Sequence, residues 1–215
     1  MTMYQSLERF SLRKINFVKT RTTILKAVLS LLKEKDFSSI TIDEICQKAQ
    51  ISRGTFFNYF PTKEHVFHYY LRIFTIKIAL RIKNWKKERS FKDKLNEIYK
   101  WFNEETQYSR FINNYFNFLI NVGEEHNEMK LTDAEFVYFY NGIDDEEYSY
   151  YNALTFSKIF DEICQEAKRK GDISLELSSS ELASILTGSL VGSYLVGYLN
   201  PNINYLDILQ KIWKF

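Results

Sequence analysis

A short polar stretch between Ser52 and Phe60 carries side chains that suit the reading of DNA base edges. If the stretch is a helix, which turns about 100° per residue, one arc of it holds small neutral groups that donate and accept hydrogen bonds. The residues on this arc are Ser52 at its edge, Gly54, Thr55, Asn58 and Tyr59. Such groups match the donors and acceptors of the major groove. The stretch therefore predicts a recognition helix, although polar arcs also occur on helices that meet only water.

Groups that bind anions flank this stretch. Arg53 lies nearer the packed side of the helical wheel, and from the first turn its long side chain can swing out to a phosphate or a guanine. Thr41 and Lys63 lie at the starts of two other predicted helices, where free amides and the helix dipole favour an anion. Contacts of this kind position a protein on DNA. We therefore add Thr41, Arg53 and Lys63 to the expected DNA contacts.

Two short helices joined by a three-residue turn are predicted to hold these side chains. Thr41 opens the first helix with a capping box, because Glu44 lies three residues further on. Ser52 caps the second helix, and Pro61 ends it. Phe56 and Phe60, with Phe57 on their flank, are expected to anchor it to its neighbours. The pattern over residues 41–60 is typical of a helix-turn-helix, whose second helix enters the major groove.

Helical periodicity continues along most of the chain. Only two prolines and seven glycines interrupt 215 residues, which favours long helices. Residues 1–18 are predicted to be a basic arm that is mobile or loosely helical. Helices are then predicted over residues 20–34, 41–49, 52–59, 62–87, 91–106, 108–121, 132–141, 146–170 and 179–199, with a short amphipathic segment at 205–213. The fold class is therefore all-α, with about nine helices.

The charges are divided unevenly along the chain. Residues 1–65 hold 11 Lys and Arg against 6 Asp and Glu, whereas residues 66–215 hold 18 against 21. This distribution indicates a polyanion partner at one end only, although chance variation on a solvated surface could also produce it. We predict a helix-turn-helix DNA-binding domain over residues 1–65 and a helical ligand-binding and dimerisation domain over residues 66–215.

Other function classes have little support in the sequence. Two cysteines indicate a reducing compartment, and the absence of a leader and of a long apolar run predicts a cytoplasmic protein without a membrane span. His65 and His68 have a zinc-compatible spacing but no supporting ligand, so we expect neither a metal nor a cofactor. No nucleophile elbow or phosphate-binding glycine loop is present, and we predict that the protein is not an enzyme.

Many residues between Thr20 and Phe67 follow one familiar pattern. Its parts are Thr41-Ile42-Asp43-Glu44-Ile45, Ala49, Ser52-Arg53-Gly54-Thr55 and Phe60-Pro61-Thr62-Lys63-Glu64. In this segment the chain closely resembles the N-terminal domain of TetR-type (tetracycline-repressor-like) transcriptional regulators. The resemblance implies a homodimer that binds a partly palindromic operator in double-stranded DNA, and represses transcription until a small ligand enters the C-terminal domain. It also implies DNA contacts by Thr41, Ser52, Arg53, Gly54, Thr55, Tyr59 and Lys63.

Two positions depart from the family pattern. Phe57 stands where the family usually has Tyr, so a hydroxyl that could contact a phosphate is missing. Gln50 stands where the turn usually has Gly. If that position needs a positive φ, the turn is strained by roughly 1 kcal/mol.

Two further sites are predicted in the C-terminal part. Small and apolar side chains on helix 179–199 and the helix before it indicate a dimer interface, although packing within one chain is the alternative: Ile163, Ser184, Gly188, Gly192, Leu195 and Val196. Aromatic residues in the middle predict a pocket for an apolar or aromatic effector, although they also suit a plain core: Trp101, Phe102, Phe111, Tyr115, Phe118 and Phe139. A DNA-binding protein controlled by a protein partner, without a ligand, remains the alternative function.

Overall fold

The computed structural model describes residues 7–85, 89–105, 129–140, 143–173 and 176–200. Every regular element within these ranges is a helix, which confirms the predicted all-α class. No helix of the described residues is long and apolar enough to cross a bilayer. The predicted helix over residues 108–121 and the predicted amphipathic segment at 205–213 lie outside the described residues.

Three helices form the N-terminal part of the fold. They are α1 (Leu12–Leu31), α2 (Ile42–Ala49) and α3 (Arg53–Tyr59), with a 3-10 turn at Phe37–Ser39 between the first two. Of the two alternatives predicted for residues 1–18, the helical one holds over residues 12–18, because α1 begins at Leu12 and not at residue 20. Ser11 caps this start by accepting a hydrogen bond from the Lys14 amide at 3.4 Å.

Six more helices follow in the described residues. They are α4 (His65–Lys83), α5 (Phe91–Glu105), α6 (Asp133–Phe139), α7 (Tyr148–Asn152), α8 (Phe156–Lys170) and α9 (Ser179–Leu199). The single helix predicted over 146–170 is wrong, because the chain breaks between α7 and α8. Leu154 is buried at the break, and the Thr155 hydroxyl starts α8 by accepting a hydrogen bond from the Lys158 amide at 3.1 Å.

The chain divides into two compact units. One holds residues 1–77 and 108–152, and with them α1, α2, α3, α6 and α7. The other holds residues 78–107 and 153–215, and with them α5, α8 and α9. The helix α4 passes from the first unit into the second. The predicted boundary between residues 65 and 66 divides the chain by function and stays a prediction.

The core of the first unit holds the helix-turn-helix in place. Side chains from α1, α2, α3 and α4 are fully buried there: Val18, Ile24, Val28, Ile45, Phe56, Phe60 and Phe67. Burial of each such side chain contributes about 1.5 to 3 kcal/mol. The apolar faces of the two short helices are thus fixed, and their remaining faces are left for solvent or a ligand.

A buried ion pair joins α1 to α6 within this unit. The Nη1 atom of Arg21 lies 3.0 Å from Oε1 of Glu135, and both side chains are at least 97% buried. The Tyr69 hydroxyl donates to the same carboxylate at 2.7 Å, and the Arg21 guanidinium lies 3.9 Å from the centre of the Tyr69 ring. Burial and the Glu135 charge raise the pKa of Tyr69 well above its usual range. The pair therefore makes the register of α6 against α1 specific.

Candidate nucleic-acid interface

The start of α2 has the capping box that the sequence predicts. The Thr41 hydroxyl accepts from the Glu44 amide at 3.2 Å, and the Thr41 amide donates to Oε2 of Glu44 at 2.9 Å. The ammonium of Lys35 also donates to the Glu44 carboxylate. Hydrogen bonds from Lys35 and from the Thr41 amide and hydroxyl lower the pKa of Glu44 to about 2. The Thr41 hydroxyl is thus already engaged with Glu44, and its contact with DNA stays a prediction.

The turn between α2 and α3 passes through a left-handed residue. Gln50 has φ 55° and ψ 46°. In the described part of the chain it is the only residue other than glycine with a positive φ. The predicted departure from the family pattern at this position therefore does produce backbone strain. The turn is nevertheless well bonded, since the Ile51 amide donates to the Cys46 carbonyl at 3.0 Å.

The helix α3 presents one face to the interior and one to solvent. Phe56 and Phe60 are fully buried, as predicted. The Ser52 hydroxyl caps the helix by accepting from the Thr55 amide at 3.0 Å. On the outer face Ser52, Arg53, Gly54 and Asn58 are exposed, whereas Thr55 and Tyr59 are half-buried. Six of the eight predicted DNA contacts thus lie on α3 or at its cap, four of them exposed and two half-buried, and their contact with DNA stays a prediction.

Two side chains of α3 are more exposed than their positions on a helical wheel indicate. Arg53 lies nearer the packed side of the wheel, but from the first turn its long side chain can swing out, and 59% of it is exposed. It is the first residue of the helix, so its side chain is not covered by a preceding turn. Phe57 was expected to help anchor the helix, but it is 46% exposed, with its ring edge-on to Phe56 at 5.5 Å. The exposed surface of α3 thus includes the Arg53 cation and the Phe57 ring.

Lys63 is bonded within the first unit. Its ammonium donates to the carbonyl oxygens of Phe37 and Ile40, at 2.9 and 2.7 Å, and lies 4.5 Å from the centre of the Phe37 ring. Lys63 also lines an open depression of about 410 Å³ together with Thr41 and Phe57. The depression joins the starts of α2 and α4 to the exposed ring of α3. A phosphate contact by Lys63 stays a prediction.

An exposed ion pair connects the first turns of α2 and α3. Nη1 of Arg53 donates to both oxygens of Asp43, at 2.8 and 2.9 Å. Both side chains are mostly exposed, at 59% and 67%. Nothing in the local spacing predicts this pair, and the acidic residue ten positions before Arg53 is its only signal in the sequence.

Two basic residues near the start of α1 are paired with acidic groups of the same unit. Nη2 of Arg9 lies 2.9 Å from the Asp145 carboxylate, and Nζ of Lys14 lies 2.5 Å from that of Asp133. The hydrogen bond from Arg9 lowers the pKa of Asp145. Two of the 11 cationic side chains counted in residues 1–65 are therefore paired with acidic residues from outside that segment.

The predicted ligand residues are only partly described. Trp101 is half-buried, with its ring 5.8 Å from Trp85 and 5.3 Å from the Arg81 guanidinium, and Phe102 is buried against Phe156 at 6.0 Å. Phe139 belongs to the other unit, where it lies 6.2 Å from Tyr69. Phe111, Tyr115 and Phe118 lie outside the described residues.

The predicted dimer residues on α9 lie on its outer face. Ser184 and Gly188 are exposed, Gly192 and Val196 are half-buried, and the side chain of Leu195 lies outside the described set. Ile185 and Val191 on the same face are 51% and 38% exposed. Ile163 of α8 is buried within one chain, because α9 packs against it, so it has little surface to give to a partner.

The remaining reactive groups form no site in the described residues. His65 and His68 lie 5.8 Å apart between ring centres, and Nδ1 of His65 is 3.0 Å from the Thr62 hydroxyl. No group of three possible metal ligands converges in that part of the chain. The thiols of Cys46 and Cys164 are unpaired and buried, and burial raises the pKa of Cys164 to about 12.

A segment of the first unit matches the model of a known family of bacterial proteins. Residues 24–70 fit the model of the tetR family of bacterial regulatory proteins. A curated relative is the uncharacterized HTH-type transcriptional regulator YuxN of Bacillus subtilis (strain 168), which is 28% identical over 81 residues. That stretch covers 35% of this chain and 28% of the length of the relative.

Solved structures are similar over almost the whole chain. Thermus thermophilus FadR, a TetR-family repressor solved with lauroyl-CoA, has a TM-score of 0.65 and 21% identity, covering 89% of this chain and 90% of its own. Bacillus subtilis FadR with stearoyl-CoA has a TM-score of 0.55 and 16% identity, and the match covers 89% of this chain and 94% of that one. Reduced NemR of E. coli has a TM-score of 0.58 and 13% identity, and the match covers 91% of this chain and 96% of that one. At these identities the similarity establishes the fold.

Proposed function

We propose that this chain, whose residues 24–70 fit the model of the tetR family of bacterial regulatory proteins, is a cytoplasmic homodimeric repressor that an apolar ligand releases from its operator. One observation carries the DNA-binding part of the proposal. The outer face of α3 holds Arg53, Gly54, Thr55 and Asn58 over a fully buried aromatic anchor. A recognition helix distinguishes bases through side chains that form hydrogen bonds with base edges in the major groove, and it must hold those side chains in a fixed position.

The outer face of α9 supports dimerisation. Its exposed residues Ser184, Ile185, Gly188 and Val191 form a stripe of small and apolar side chains. A Cβ atom added at Gly188 or Gly192 would meet nothing within 4 Å in one chain, so a second helix can approach the backbone there. Two copies related by a twofold axis would present two α3 helices to successive major grooves, about 34 to 36 Å apart.

A ligand with a long apolar chain is proposed because of the fold relatives. Two structures of similar fold hold lauroyl-CoA and stearoyl-CoA. In this chain the second unit has buried and half-buried aromatic side chains at Phe102 and Trp101, with the cation of Arg81 beside the latter. Because α4 passes from the first unit into the second, ligand binding would shift the position of α3 through α4.

Equilibrium binding tests the DNA-binding part of the proposal. A duplex recovered by the full chain from a random pool is labelled, and its affinity is measured for Thr55→Ala and Tyr59→Ala. We expect each variant to bind at least about fivefold more weakly, since a good base contact is worth about 1 to 3 kcal/mol. Thr23→Ala, on the exposed face of α1, is the control and should bind like the wild type. Unchanged affinity in both α3 variants would disprove the assigned face.

Addition of lauroyl-CoA to the same complex tests the ligand. We expect it to release the duplex, while coenzyme A without an acyl chain and free laurate serve as controls. If no acyl-CoA from lauroyl to stearoyl changes the affinity for the duplex, the ligand class is wrong. The alternative of control by a protein partner would then be favoured.

A further inference from the structure

We propose that Asp43 is a positioning residue, which holds the Arg53 guanidinium so that one fixed edge of it reads a guanine in each operator half-site. The proposal rests on the proposed DNA-binding function and goes beyond it, because it assigns a role to an acidic residue in a surface expected to meet phosphates. It also predicts one base of the operator.

The hydrogen bonds of the pair leave one edge of the guanidinium available. Asp43 occupies Nη1 of Arg53 through both of its oxygens, at 2.8 and 2.9 Å. The Nε and Nη2 atoms of Arg53 have no hydrogen-bond acceptor among the residues that the structure describes. Arginine reads guanine by donating two parallel hydrogen bonds to O6 and N7. The edge formed by Nε and Nη2 can donate this pair while Nη1 remains on Asp43.

Both ends of the pair are held by helix caps. Asp43 lies in the first turn of α2, which the Thr41 capping box fixes. Arg53 is the first residue of α3, which the Ser52 hydroxyl caps. The carboxylate therefore fixes the guanidinium against the recognition helix before DNA arrives, which reduces the conformational entropy lost on binding.

The pair also changes the charge that DNA meets. A free arginine on this surface would bind any phosphate and would strengthen binding to all sequences alike. Since Asp43 neutralises Arg53, the pair contributes little to that general attraction. What remains is a directional donor edge, which favours one base over the others. Asp43 thus raises selectivity at the expense of affinity for nonspecific DNA.

The test compares Asp43→Asn with the wild type as full chains. The two readouts are the base preference at each position in duplexes selected from a random pool, and the salt dependence of affinity for mixed-sequence calf-thymus DNA. We expect the preference for one guanine per half-site to fall about tenfold. The slope of log affinity against log salt should become steeper by about 0.9, because the freed cation binds one more phosphate. A merely structural role would change neither readout in this way.

Two further variants keep the result interpretable. Glu34→Gln breaks a comparable exposed pair with Lys48, at 3.5 Å, and should leave every base preference unchanged. In an Arg53→Ala background, Asp43→Asn should cause no further change in preference, since Asp43 acts through Arg53. Thermal unfolding of each variant checks that the fold is retained.

Several outcomes would overturn the proposal. The first is an Asp43→Asn variant that keeps the guanine preference. The second is an Asp43→Asn substitution that changes the base preference in the Arg53→Ala background as much as it does in the wild type. The third is a selected motif in which Arg53→Ala weakens the preference for no guanine. A wild-type chain that selects no motif would instead disprove the proposed DNA-binding function, and with it the role of Asp43. If the wild type does select a motif, failure of the Asp43→Asn prediction disproves only the role of Asp43.

Discussion

In the turn between α2 and α3, the side chain of Gln50 lowers stability because the residue adopts a left-handed backbone conformation. Gln50 adopts φ 55°, which side chains disfavour and glycine accepts. We expect Gln50→Gly to raise the free energy of unfolding by about 1 kcal/mol. Urea denaturation of the full chain measures this change.

The control for this prediction is Gln50→Ala, which keeps a Cβ atom in the same backbone conformation. It should be no more stable than the wild type. Equal stability of the glycine and alanine variants would show that the turn is not strained in solution.

The buried carboxylate of Glu135 is the residue whose loss should cost most. In Glu135→Gln the single amide oxygen can either cap α6 or accept from Tyr69 but not both, and the Arg21 charge is left buried without its counter-ion. We expect the free energy of unfolding to fall by about 3 to 5 kcal/mol. Chemical denaturation measures the loss.

The matched control is Asp145→Asn, which breaks the exposed pair with Arg9. Its stability should stay close to that of the wild type, because solvent screens an exposed pair. If the two variants were equally stable, the Arg21 pair would not be buried as described.

Local residue roles could be predicted from the sequence, and distant pairings could not. The capping box at Thr41 and the burial of Phe56 follow from spacings of a few residues. Arg21 and Glu135 are 114 residues apart, and Lys63 reaches carbonyls 23 and 26 residues away. A single sequence has no periodicity that links such positions.

The start of α2 should make stability depend on pH at the scale of one element. Hydrogen bonds from Lys35 and Thr41 lower the pKa of Glu44 from 4.5 to about 2 in the folded chain. Because the folded pKa lies below the unfolded one, the ionised carboxylate stabilises the fold above pH 4.5. That contribution is lost as the pH falls from 4.5 toward 2.

The variant Glu44→Gln isolates this contribution. The difference in unfolding midpoint between the wild type and the variant should be full at pH 7 and should shrink steadily between pH 4.5 and 2. Unfolding at a series of pH values measures it. A difference that does not change with pH would show that the carboxylate is not held by these hydrogen bonds.

Element bounds were predictable wherever a local stop or start signal stands in the sequence. Gly171 ends α8 in a left-handed conformation, and the Ser178 and Glu181 capping box starts α9, as their residue types indicate. The early start of α1 was missed because the ion pairs of Arg9 and Lys14 connect it to residues more than a hundred positions away. The break before α8 was missed because polar residues at 146–152 continue a helical pattern.

At the scale of the whole molecule, the outer face of α9 should decide the oligomeric state. In one chain the space beside Gly188 is open, so a larger residue fits there without a clash. In the proposed dimer that space is taken by the partner helix. We expect Gly188→Arg to be a folded monomer where the wild type is a dimer, and light scattering after size exclusion measures the mass.

The control places the same charge on another exposed helix face. Thr23→Arg on α1 should remain a dimer. A Gly188→Arg chain of unchanged dimeric mass would show that α9 is not the interface. Loss of the dimer in both variants would point to a general effect of charge.

The most direct test of the central claim is the symmetry of the DNA that the full chain selects from a random duplex pool. Two α3 helices related by a twofold axis should select an inverted repeat whose half-site centres are about 10 base pairs apart, or a multiple of that spacing. The Gly188→Arg chain should lose the second half-site. A motif without twofold symmetry, or no enriched motif at all, would contradict the account of α3 as the recognition helix of a dimeric repressor.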